Sequence, residues 1–223
     1  GPDGALYFAD WHTPLIGHMQ YSQRDPNRDH THGRLYRIVA KDRPLLTPVI
    51  AAGAPLPELL EQLKSPEDRT RYRARRELRD RGAQEVLGAL RVWMASLSRN
   101  DTHYEHHLCE ALWVQQGFHA VDVALLRQAL AAKDFHARAA AVHLLADERE
   151  FLFRTNAAAA LALCRPLVTD PHPRVRLEAV RALSLFPGIA SVELALGAVK
   201  LPLDYSLRYT LESTLGALEP VWK

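Results

Sequence analysis

The chain has 223 residues, of which 48% are hydrophobic and 24% charged, and its formal net charge is +2 at neutral pH. These values are typical of a globular protein with a substantial core. A charge so close to zero argues against a general electrostatic footprint for nucleic acid, so we predict no nucleic-acid partner. We also predict no membrane span, because no apolar run approaches the roughly eighteen residues that a spanning helix needs.

The first forty residues are predicted to form two short strands joined by a long polar loop. Residues 5–9 are apolar and aromatic and follow a Pro-Asp-Gly turn, and residues 34–39 are a second strand candidate. More than twenty residues separate the two strands, whereas ordinary hairpin loops have about two to five. So long a loop is usually functional or disordered.

Polar groups are concentrated in this loop. Asp29, His30 and His32 place a carboxylate and two imidazoles within four residues, a pattern that suits metal binding or proton transfer. Asp10 ends the first strand and Arg34 begins the second, so they would face the same space if the strands pair. The candidate catalytic residues are Asp10, His18, Arg24, Asp29, His30 and His32. They would act as metal ligands, as a general base or as donors of hydrogen bonds to the substrate. The candidate metal ligands are His30 and His32; the alternative is a self-satisfied polar loop held by salt bridges.

A proline-rich linker is predicted for residues 41–56, and helical periodicity begins at residue 57 and continues to residue 223. Five segments of this region can be laid over one another: 65–82, 101–117, 134–147, 170–188 and 203–220. Four of them share an arginine followed by apolar residues three and seven positions later. These arginines are Arg71, Arg138, Arg176 and Arg208, and a degenerate copy with Glu105 fills the gap after the first.

The repeats resemble HEAT repeats. The resemblance is strongest at residues 170–183, DPHPRVRLEAVRAL, which are similar to the second helix of that family. A partner helix is predicted before each of the five segments, and stacking such pairs would bury one continuous core. The predicted fold is therefore mostly α, an α-solenoid of about five HEAT-like helix pairs preceded by two short strands.

Three further groups have both a functional and a structural interpretation. Residues 69–81 carry seven arginines, which either hold a phosphate-bearing or acidic partner or form a solvated helix face. The histidines at positions 103, 106 and 107 share a helical face and either chelate a metal or lie on a half-exposed surface. Cys109 and Cys164 lie in apolar helical patterns and are predicted to be packed thiols.

Four stretches of the N-terminal region carry a second resemblance: residues 3–11 (DGALYFADW), 16–20 (IGHMQ), 24–30 (RDPNRDH) and 33–38 (GRLYRI). They resemble the end of the β-propeller in the membrane-bound dehydrogenase family of planctomycetes and relatives. The propeller of that family is similar to soluble glucose and sorbosone dehydrogenases. It is followed by HEAT repeats and often by a cytochrome c module, and the order of elements in this chain agrees.

The resemblance implies a fragment of an extracytoplasmic, periplasmic protein. Residues 1–40 would be a terminal propeller blade fragment, 41–56 the linker, and 57–223 the HEAT domain, acting as a docking surface or spacer for a protein partner or neighbouring domain. The propeller would oxidise a sugar or alcohol with pyrroloquinoline quinone (PQQ) and calcium. Haem c would sit on a separate module, whose C-x-x-C-H motif does not occur in this sequence. The fragment alone is expected to be inactive, and the alternative is a non-enzymatic HEAT scaffold that binds a protein.

Overall fold

A computed structural model describes residues 1–10, 26 and 29–223. Within these ranges the chain forms a two-stranded antiparallel sheet followed by eleven α-helices. The predicted mostly helical fold with a short β element at its N-terminus is thus confirmed. No helix in the described ranges is long and apolar enough to cross a membrane.

The sheet is a hairpin of β1 (Leu6–Asp10) and β2 (Arg34–Ile38), paired so that Leu6 faces Ile38 and Asp10 faces Arg34. The rings of Phe8 and Tyr36 stack across the strands with their centroids 5.0 Å apart. Both strands are exposed along almost their whole length. The hairpin therefore draws little burial from the rest of the described chain.

The linker runs from the hairpin to the helices without regular structure, as its prolines predict. Hydrogen bonds hold it at both ends. The Arg43 guanidinium donates to the Gly4 carbonyl (3.1 Å) beside the hairpin, and the Gln62 amide donates to the Ile50 carbonyl (3.1 Å) beside the first helix.

The helices have the following bounds: α1 Leu56–Gln62, α2 Asp68–Arg81, α3 Ala83–Ser96, α4 Tyr104–Gln116, α5 Val123–Leu130, α6 Phe135–Asp147, α7 Arg149–Leu152, α8 Ala157–Cys164, α9 Pro173–Leu183, α10 Ile189–Leu196 and α11 Tyr205–Ala217. They form five pairs: α1 with α2, α3 with α4, α5 with α6, α8 with α9, and α10 with α11. The predicted repeat boundaries agree with these pairs. The short α7, which lies between the third and fourth pairs, was not predicted.

The pairs stack into an α-solenoid with two layers. The second helices of the pairs (α2, α4, α6, α9 and α11) each contact the next and form one layer. We call this layer the inner layer and the layer of the first helices the outer layer. One continuous apolar cluster runs through the stack from Ala51 to Leu211. Leu78, Leu145 and Leu183, which the repeat pattern placed on the core face, are fully buried.

An arginine at the fourth position of an inner helix joins three parts of the stack. Arg138 Nη1 donates to the carbonyls of Ala132 and Lys133 (both 2.8 Å), which follow the end of α5. Its Nε and Nη2 donate to the Asp170 carboxylate (2.7 and 2.9 Å), which precedes α9. One planar guanidinium therefore ties an outer helix end, an inner helix and the following pair together.

The same clamp recurs in two other pairs. Arg71 and Arg176 each donate to the carbonyls six and five residues earlier in the chain. The distances are 2.7 and 3.0 Å for Arg71, and 2.9 and 3.1 Å for Arg176. Each also reaches the following pair: Arg71 through Glu110 (3.0 Å), and Arg176 through the Pro202 carbonyl (2.9 Å). The fourth predicted arginine, Arg208, is exposed and forms no such clamp within the described chain.

We expect Arg138→Ala to lower the free energy of unfolding by about 3–5 kcal/mol, because Asp170, only 6% exposed, would remain buried without its counter-charge. The matched control is Arg208→Ala, at the same helix position but exposed, which should cost about 0.5 kcal/mol or less. Urea unfolding followed by circular dichroism measures both. Equal losses in the two variants would contradict a role for the clamp.

Candidate functional site

The hairpin brings two of the predicted residues together. Asp10 and Arg34 are register partners, and Arg34 Nε lies 3.7 Å from Asp10 Oδ2. The expectation that these strand ends face the same space is confirmed. His18 and Arg24 lie outside the described residues, so their place in the site stays a prediction.

Asp29 closes a small polar turn at the start of the described segment. Its Oδ1 accepts hydrogen bonds from the Thr31 amide and hydroxyl (both 2.9 Å) and from the His32 amide (3.1 Å). Its Oδ2 lies 2.8 Å from His32 Nδ1. The bonds from Thr31, followed by those from His32, lower the pKa of Asp29 to about 2. This geometry supports the self-satisfied polar loop at Asp29.

His30 lies in the same turn and is exposed, as is His32. Among the described residues no group of three or more His, Cys, Asp or Glu side chains converges as a metal site would require. A metal at His30 and His32 would therefore need ligands from elsewhere. The catalytic and metal-binding roles of these two residues stay predictions.

A groove of about 590 Å³ lies on the inner layer, between α2 and α4. Its arginine-bearing wall comes from the arginine-rich run that the sequence singled out. Its lining includes Arg71, Tyr72, Arg75, Arg76 and Arg79 from α2, His106, Glu110 and Trp113 from α4, and His119 and Glu148 beyond them. We call it the arginine groove.

Glu110 forms the floor of the arginine groove and is 0% exposed. Its carboxylate accepts hydrogen bonds from Arg71 Nε (3.0 Å) and from Arg75, and His106 Nε2 lies 3.4 Å away. Burial raises the pKa of Glu110, but the hydrogen bonds from His106 and Arg75 outweigh it, so its pKa is lowered from its ordinary value. The groove therefore holds an ionised carboxylate whose charge its own arginines neutralise.

Aromatic rings support two arginines of the groove. The Arg75 guanidinium lies 5.4 Å from the Trp113 ring centroid, and that of Arg76 lies 5.9 Å from the Tyr72 centroid. Both distances are within the range of cation–π attraction. The guanidinium groups are thereby held over flat apolar surfaces, where they can still donate hydrogen bonds.

A second depression of about 310 Å³ continues the inner surface across α6 and α9 and shares Trp113 with the arginine groove. It too has a buried glutamate, Glu178. The carboxylate of Glu178 contacts Arg174 (2.8 Å), Arg181 (3.0 Å) and His143 (3.2 Å). The inner surface thus repeats one arrangement, a buried glutamate surrounded by arginine and histidine.

Within the described residues, the histidines at positions 103, 106 and 107 form no metal-binding group, and the half-exposed surface is only partly right because one of them is buried. His107 is buried and its Nε2 turns to Asp101 Oδ2 (3.3 Å), whereas the His106 Nε2 turns to Glu110. The solvated helix face predicted for the arginine run is also only partly right, because Arg71 and Arg75 donate hydrogen bonds to the buried Glu110 carboxylate. Sequence reasoning missed Glu110 itself. The only signal was a single carboxylate between the apolar residues Leu108 and Leu112 on a core-facing helix.

No protein-family model matches the chain, and a search of curated proteins gives no match. Among solved structures, the crystal structure of an engineered protein from the Northeast Structural Genomics Consortium is similar at 16% sequence identity and a TM-score of 0.44. The match covers 74% of this chain and 79% of that chain. A likeness of this size carries no inference about function.

Cys109 and Cys164 are free and buried, as predicted, and burial raises the pKa of each thiol to about 12. Because the thiolate is the reactive species, we expect both to react with Ellman's reagent at pH 8 about 10³-fold more slowly than an ordinary thiol. Absorbance measures the rate, and the guanidinium-unfolded chain, in which both thiols should react promptly, is the control. Rapid reaction of the native chain would contradict the burial of these residues.

Proposed function

We propose that the helical array is the docking or spacer domain of a larger extracytoplasmic, dehydrogenase-like protein, and that the hairpin is the closing piece of its β-propeller. The resemblance at residues 3–38 motivates the proposal. The observation that supports it best is the exposure of the hairpin, whose strands present apolar side chains to solvent on both faces.

One face of the hairpin carries two aligned pairs, Leu6 with Ile38 and Phe8 with Tyr36. All four side chains are exposed. An isolated two-stranded ribbon is marginal in water, and exposed apolar strand faces usually mark an interface. A propeller blade, typically of four strands packed face to face on its neighbours, would provide both the missing strands and the cover.

In this proposal the chemistry belongs to the propeller, which would oxidise a sugar or alcohol with PQQ and calcium. The hairpin would contribute Asp10, Asp29, His30 and His32 from the end at which its strands are joined, together with His18 and Arg24. Haem c would be carried on a separate module, and a protein partner or neighbouring domain would occupy the HEAT surface. Residues 1–223 alone would be inactive.

The second candidate is a non-enzymatic scaffold, and the arginine groove is the observation that favours it. A groove of about 590 Å³ with a fixed rim of arginines is a surface suited to binding a partner. The two candidates differ in what precedes residue 1 in the parent gene. Only the dehydrogenase-like protein requires a complete propeller there.

Hydrogen exchange tests the proposed blade. In the full-length protein the amides of β1 and β2 should exchange at least about 10²-fold more slowly than in residues 1–223 alone, because neighbouring strands would cover them. The amides of α6 and α9, buried within the array, are the internal control and should exchange equally in both proteins. Equal exchange of the strand amides would exclude a larger sheet around the hairpin.

The site prediction is tested in the same full-length protein. Replacement of His30 and His32 by alanine should lower kcat for sugar oxidation by about 10²-fold or more if they transfer protons, and should reduce metal content if they bind metal. His103→Ala, at an exposed position of the helical array, is the control. Unchanged kcat and metal content in the double variant would show that the turn is structural.

A further inference from the structure

The inner surface of the array has guanidinium groups that no carboxylate of the described residues neutralises. Of the carboxylates that line the arginine groove, Asp68 pairs with Arg71 (3.0 Å), Glu110 is held by Arg71 and Arg75, and Glu148 lies 3.1 Å from His119. Arg76 and Arg79 are exposed, and neither has a carboxylate partner within 4.0 Å in the described part of the chain. Two positive charges at the rim of the groove are therefore without a counter-charge from the described residues.

These two arginines lie in one stripe of α2. Tyr72, Arg76 and Arg79 are spaced four and three residues apart, so their side chains share a helical face, and all three line the groove. A guanidinium binds a carboxylate or a phosphate through two parallel hydrogen bonds. The rim is thus suited to an anionic group, and the rings of Tyr72 and Trp113 offer apolar surface beside it.

The shape of the inner surface favours an extended ligand over a single small anion. The arginine groove meets the second depression at Trp113. In the second depression the Arg174 side chain is 58% exposed, although one edge of its guanidinium contacts Glu178. Neighbouring packed helices lie about 8–10 Å apart, so the three steps from α2 to α9 span roughly 25–30 Å. An extended peptide covers that distance with about eight or nine residues.

We propose that the inner surface of the array binds an extended peptide rich in Asp and Glu, with carboxylates on Arg76 and Arg79 at one end and on Arg174 at the other. The peptide backbone crosses Trp113 between them. This inference rests on the docking role proposed above and names the partner of that surface. A single phosphate would fill a small part of the groove, and the two buried glutamates of the floor lessen the broad positive field that nucleic acid favours.

A charge-reversal pair tests the proposal in residues 1–223. The probe is a fluorescein-labelled peptide of nine glutamates, and its affinity is read by fluorescence anisotropy at about 0.1 M salt, where the Debye length is about 10 Å. We expect Arg76→Glu with Arg79→Glu to weaken binding at least about tenfold, because two carboxylate contacts become repulsions. Circular dichroism checks that the variant is folded.

The matched control is Arg91→Glu with Arg127→Glu. These arginines are exposed on the outer helices α3 and α5, and the net charge changes by the same amount. We expect less than about a twofold change in peptide affinity for the control. Equal weakening by the two double variants would overturn the proposal, because it would show general attraction by net charge alone.

Two competitors distinguish other sources of negative charge. Inorganic phosphate that displaces the peptide at similar concentrations would overturn the extended-peptide proposal in favour of a single-anion site. A single-stranded oligothymidylate that binds more tightly than the peptide, and loses affinity in the Arg76 and Arg79 variant, would overturn it in favour of nucleic acid. Absence of peptide binding would also overturn it. None of these outcomes depends on the hairpin, so failure here is distinguishable from failure of the proposed blade.

Discussion

The stack depends on the arginine clamp at the fourth position of an inner helix. The carbonyls that follow an outer helix have no partners in that helix, and a buried carbonyl without a partner is costly. Arg71, Arg138 and Arg176 satisfy such carbonyls and at the same time bond to the following pair. Since one rigid guanidinium has five donors in a plane, it fixes the position of three elements relative to one another. The apolar core fills the space that this arrangement leaves.

The arginine groove lies at the helix pair in which the repeated arginine clamp is missing. In the second pair the prediction that Glu105 takes the place of the arginine is wrong, because Glu105 is the second residue of α4 and the fourth is His107. His107 contacts Asp101, three residues before α4. Asp170 has the same position before α9, but it is free to accept Arg138. Because Asp101 is occupied, Arg71 turns to Glu110 in the body of α4, and Arg75 joins it. The buried carboxylate of Glu110 thus fixes the positions of the two arginines that line the groove.

The hairpin and the array differ in what holds them together. The array is closed by one continuous core and by ion pairs between successive pairs of helices, whereas the hairpin shows apolar side chains on both faces. Its stability within the chain comes from local contacts, such as the Tyr7 hydroxyl donating to Asp3 (2.6 Å) and the stacking of Phe8 on Tyr36. A shared core therefore stabilises the array, whereas local contacts stabilise the hairpin.

The sequence by itself determined the elements whose cause is local. Apolar periodicity placed the five helix pairs, and the strand ends placed Asp10 opposite Arg34. Asp134, which begins the third predicted segment, is the N-cap of α6. The tertiary structure decided the rest. Glu67 and His172 cap α2 and α9, although Ser65 and Asp170 began the predicted segments. Periodicity shows which face of a helix is buried, but the partners of Glu110 lie 35 and 39 residues away. Only the packing of α2 on α4 makes that carboxylate an ionised floor rather than an unpaired buried charge.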